Sequence, residues 1–95
     1  MTRVPAITLL TTSECRFCEH AKQMLTRFTR EMPFTVEIVD LDTPDGRRLA
    51  EQHGVLVAPG ILVDGRMVGY GRPSERRLRR ELQRACAADT GEVAR

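Results

Sequence analysis

Two cysteines, Cys15 and Cys18, stand three positions apart in the stretch SECRFCEHAKQML. On one helical turn that spacing brings the sulfurs close enough to bridge. Three uses compete for such a pair: disulfide exchange, metal ligation, or packing. In exchange the thiolate is the nucleophile, and a free cysteine is mostly protonated at neutral pH. Cys15 falls where a helix should begin. There the unpaired backbone N–H groups and the positive end of the dipole favour a negative sulfur. Arg16 adds a positive charge next door, while Glu14 and Glu19 act against it. Cys18, one turn in, should be more buried and less ionised. The asymmetry makes Cys15 the expected attacking thiol and Cys18 the resolving one.

Metal ligation is the rival chemistry. A structural zinc site usually takes four ligands, often from a second CxxC, and this chain has none. His20 is expected on a different part of the helix surface from the Cys15–Cys18 edge, and His53 at the end of another helix. CxxCEH is not the CxxCH of covalent haem attachment. No resident metal is therefore expected. The alternative is a metal or iron–sulfur centre held by the thiolates of two copies in a dimer. The third cysteine, Cys86, shares a helical apolar face with Leu78 and Leu82 and reads as a small core hydrophobe.

The 95 residues fit one domain with a modest core. Aromatic residues make up only 4%, so that core must be mainly aliphatic. A net charge of +2 points to neither nucleic acid nor a membrane. The most basic stretch, RPSERRLRREL, lacks aromatic interleaving and reads as a solvated helix face, with Glu75 and Arg79 spaced to pair. The apolar run VPAITLL is too short for a signal core, and nothing approaches a membrane span. A cytoplasmic, reducing location is the expectation, and there a close cysteine pair is more often catalytic or metal-binding than structural.

Elements must position these sulfurs. AITLLTT reads as a buried strand. From Cys15 the period changes: Phe17, Ala21, Met24, Leu25 and Phe28 mark one helix face, with Ser13 as N-cap and Pro33 beyond the end. FTVEIVDLD, from Phe34 to Asp42, is a second strand, its Phe34–Val36–Ile38 alternation predicting one buried face. Thr43 and Pro44 start a short helix that Gly54 ends. Asp64-Gly65 between apolar runs predicts a hairpin. Pro73 and Ser74 open the last helix. The order β-α-β-α-β-β-α makes the first two strands parallel and the last two antiparallel, giving an α/β fold with a four-stranded mixed sheet flanked by helices. The domain should span 1–88, with 89–95 a flexible C-terminal tail.

A second segment, GVLVAPGILVDG, places Pro59 immediately before a strand, as a turn in trans or as a cis Ala58–Pro59 bond. Together with the CxxC helix and the element order, this segment resembles the thioredoxin fold, and within it the glutaredoxins and small glutaredoxin-like redox proteins. The similarity runs from Ala6 to Cys86. It implies a thiol-disulfide oxidoreductase with Cys15 and Cys18 catalytic and Pro59 as a cis-proline against them. The Ala58 backbone would pair with an incoming peptide or glutathione. Gly69 and Gly71 would stand for the family's glycine pair, and Arg16, Phe17 and Tyr70 would shape the rest of the substrate site. Implied partners are proteins with disulfides and an electron donor, either glutathione or a reductase of the thioredoxin-reductase type. No tightly bound cofactor is implied, and glutathione would serve as co-substrate. The chain departs from the family in three places. Arg16-Phe17 replaces the usual Pro-Tyr or Gly-Pro between the cysteines. Tyr70 splits the glycine pair. The acid that holds a glutathione amine has no clear match, only Ser74 or Glu75 nearby. The segment DGRMVGYGRPS also resembles small archaeal- and bacterial-type thioredoxin-like proteins.

Overall fold

Strand β1 (Ala6–Thr11) is built from β-branched and aliphatic residues, and Ile7, Leu9 and Leu10 are almost fully buried. In a computed structural model that describes residues 4–91, β1 lies inside a four-stranded sheet of order β2-β1-β3-β4. It pairs in parallel with β2 (Thr35–Asp40) and antiparallel with β3 (Gly60–Val63). β3 pairs antiparallel with β4 (Arg66–Tyr70), with a register shift at Ile61/Leu62. The parallel pair needs a crossover, which helix α1 (Arg16–Phe28) supplies. The hairpin turns at Asp64 and Gly65, both at positive φ (52° and 80°), as a tight two-residue turn requires.

A layer of helix covers one face of the sheet. Cys18, Ala21, Met24, Leu25 and Phe28 form the buried stripe of α1. On the same face, α3 (Glu75–Gly91) buries Leu78 and Leu82. All of these but Cys18 share one core with Ile7, Leu9, Ile61, Val63 and Val68. Arg79 fastens α3 to α1. Its guanidinium sits 4.8 Å from the Phe28 ring centroid and donates to Glu31 (3.0 Å) and Glu75 (3.3 Å). Below it on α3, Arg66 donates to Glu81 and holds that carboxyl below the ordinary carboxylate range.

Helix α2 (Pro44–His53) begins with Thr43, whose hydroxyl accepts from the Gly46 N–H (3.0 Å), and ends on left-handed Gly54. Gly46 is buried against the Asp40 carbonyl and the Leu41 backbone, and a Cβ there would collide with both. A glycine in the first turn is what lets α2 start so close to the end of β2.

The structure changes three expectations. Val36 and Ile38 do not face a closed core: they are 39% and 52% exposed. β2 is an edge strand, and the apolar stripes of α1 and α3 are spent on β1, β3 and β4. The margin of β2 thus forms an open groove with Leu9, Leu25 and Lys22. Phe17 is off the buried stripe of α1 and 41% exposed. Helix α3 runs past Asp89 to Gly91, into the segment expected to be a tail; residues 92–95 lie outside the described residues. Among the described residues no helix is long and apolar enough to cross a membrane.

Candidate redox site

The carboxyl end of β1 decides where the cysteines lie. After Thr11 the chain turns through Glu14, which takes a positive φ of 50°, and enters α1 at Cys15. Cys15, not Ser13, is the N-cap. Its backbone is extended, and its Sγ accepts the Cys18 N–H at 3.1 Å. The capping position normally held by a hydroxyl or carboxylate oxygen is thus held by sulfur. Cys15 and Cys18 are joined as a disulfide, with Cα atoms 5.2 Å apart. Their surroundings differ: Cys15 is half-buried, while Cys18 is 1% exposed on the core face of α1.

The antiparallel pairing of β1 with β3 brings the second segment to the same end of the sheet, since Leu10 is opposite Gly60 and Gly60 opposite Tyr70. The Ala58–Pro59 bond is cis, and Pro59 is fully buried. Gly71 donates its N–H to the Pro59 carbonyl (2.8 Å), tying the exit of β4 to the proline. Gly71 has φ 84°, and a Cβ there would come within 3.3 Å of Val57 Cγ2, so a side chain would be both strained and crowded. Ala58 is half-buried, and neither its N–H nor its C=O enters a backbone hydrogen bond among the described residues. Of the residues singled out from sequence, Cys15, Arg16, Phe17, Ala58, Pro59, Tyr70 and Gly71 therefore gather at one end of the sheet. Gly69, inside β4 opposite Ile61, is one step back from it.

Leu56 and Val57 join this end and were not singled out. They are 78% and 55% exposed, compared with 43% for Tyr70 and 41% for Phe17. A signal was present: the apolar run between Gly54 and Pro59 belongs to neither helix nor strand, so nothing obliges it to be buried. Among the described residues no group of three or more His, Cys, Asp or Glu is gathered as for a metal ion. Cys86, on α3, is partly buried near the Pro33 carbonyl, remote from the pair in the chain path.

Solved structures share this architecture. A thioredoxin-like protein from Clostridium perfringens matches with a TM-score of 0.73 at 17% identity, over 94% of this chain and 76% of its own. Thioredoxin O2 from Arabidopsis thaliana in its oxidised state matches at TM-score 0.67 and 17% identity, over 87% of this chain and 76% of its own. A mutant thioredoxin from Halobacterium salinarum gives 0.67 at 19%, over 86% and 74%. The fold is thioredoxin-like, with a CxxC pair bonded at the helix start. By sequence, a thioredoxin of Methanocaldococcus jannaschii is 28% identical over 72 residues, 76% of this chain and 85% of that protein. The glutaredoxin-like domain family (DUF836) matches residues 6–83, and the chain belongs to that family.

Proposed function

We propose that the protein is a dithiol–disulfide oxidoreductase that reduces disulfides of other proteins or mixed disulfides with glutathione. The observation that carries this reading is the unequal pair: a half-buried Cys15 at the helix N-cap, bonded to a buried Cys18. In the reduced state the Cys15 thiolate attacks one sulfur of a substrate disulfide. A Cys15–substrate disulfide forms, the substrate bond breaks, and the leaving thiolate takes up a proton. Cys18 then loses its proton and attacks the Cys15 sulfur. The Cys15–Cys18 bond closes, and the second substrate thiol is released. The substrate gains two electrons and the protein loses two.

The helix start favours this sequence. A sulfur that accepts the Cys18 N–H is a better anion than one in bulk solvent, both as attacker and as leaving group. The free Ala58 backbone, held by buried Pro59, offers an incoming chain a strand-like pair of hydrogen bonds. Arg16, Phe17 and Tyr70 flank that line, and Gly69 and Gly71 keep its far side low. Regeneration requires a dithiol or thiol donor, either a thioredoxin-reductase-type enzyme or glutathione.

The test is turnover with a protein disulfide in the presence of each donor. Cys15→Ser should abolish reduction, and Cys18→Ser should accumulate a mixed disulfide at Cys15, seen by mass. Full turnover by Cys15→Ser would sink the reading.

A further inference from the structure

Several arginines on and around α3 are engaged: Arg79 with Glu31 and Glu75, Arg27 with Glu75, and Arg66 and Arg84 with Glu81. Arg72 and Arg77 are exposed and have no carboxylate within ion-pair distance among the described residues. Both line a small cavity of about 90 Å³ with Tyr70, Gly71 and Ser74, beside the Gly71–Pro59 hydrogen bond. The nearby Glu75 is already held by Arg27 and Arg79. Arg16, beside Cys15 at the start of α1, is exposed and likewise has no carboxylate within ion-pair distance among the described residues. Tyr70, exposed, lines the same cavity, Val57 approaches Gly71, and both Val57 and the neighbour of Arg16, Phe17, are exposed.

An apolar patch bordered by unneutralised guanidinium groups selects its partner. Burying those arginines under a neutral or basic surface would cost desolvation with nothing in return, whereas carboxylates would meet them bidentately. We propose that this rim binds an acidic protein segment, so that the preferred substrate is a protein whose disulfide is flanked by Asp and Glu. The proposal rests on the oxidoreductase reading and adds which proteins it acts on. The exchange is unchanged: the reduced Cys15–Cys18 dithiol becomes the disulfide, and the substrate disulfide becomes two thiols.

The test is single-turnover reduction by pre-reduced, desalted protein. The substrates are two short peptides joined by one disulfide, carrying a fluorophore and a quencher, with either Glu or Gln at the flanking positions. At low salt the Glu substrate should react about tenfold faster, and the advantage should fade toward 1 M salt, where screening acts within about 3 Å. The double variant Arg72→Gln/Arg77→Gln should bring the Glu-to-Gln rate ratio close to one. Equal wild-type rates at low salt, or an advantage that survives both salt and the double variant, would overturn the proposal alone. If wild type reduces neither peptide, the redox reading falls and the proposal with it.

Discussion

At the scale of single residues, the site sets two chemically identical side chains in different surroundings. Cys15 and Cys18 share one covalent bond, yet one sulfur lies at a solvent-facing cap and the other in the core stripe of α1. After reduction, iodoacetamide at neutral pH should label Cys15 first and Cys18 last. Peptide mass mapping checks the order, and equal labelling would remove the physical basis for separate roles. The unequal surroundings of the two sulfurs were legible from spacing, because a residue at a helix start is more exposed than one a turn further in on the core face. The cap was less so. Residue preference names Ser13, but the left-handed turn at Glu14 delays the helix by two positions, and that backbone choice leaves no mark in the side chains. Phe17 was misjudged for a related reason. Hydrophobicity ranks it above Cys18 as the first member of the buried stripe, while the sheet selects the smaller sulfur and turns the ring outward.

At the scale of elements, local signals carried most of the architecture. Thr43-Pro44, Gly54 and Asp64-Gly65 each act within a few residues of themselves, so their places in the chain fix the helix and turn they serve. Strand β2 shows the limit. Its alternation is real, but burial depends on what covers it, and that is decided by where the stripes of α1 and α3 end. Gly46 is another long-range effect that nothing in the local pattern announces. Gly46→Ala should force α2 away from the end of β2 at a cost of roughly 2 kcal/mol or more. That corresponds to a loss of about 10 °C in Tm by differential scanning calorimetry. Gly54→Ala, where a Cβ would meet only open space, should cost about 1 kcal/mol, from the left-handed backbone alone. Equal effects would contradict the packing account.

At the scale of the whole molecule, chemistry and coverage are divided between different parts of the sheet. One end gathers the cysteines, Pro59 and the exposed apolar residues, while α1 and α3 close most of one face. Among the described residues β2 and β4 are the edge strands, and β2 is the one whose apolar residues line an open groove. The strand carries Glu37 and Asp40, both exposed, and its groove-facing residues are Val36 and Ile38. An unpaired strand edge is a template for another copy, and like charges along it oppose such pairing. Glu37→Val is expected to raise light scattering on gentle heating before the unfolding transition, with secondary structure by circular dichroism unchanged beforehand. Scattering no greater than wild type would remove the role given to this carboxylate. The consequence reaches beyond stability: a small fold that leaves the apolar side of an edge strand open depends for its colloidal behaviour on a few acidic side chains along that strand.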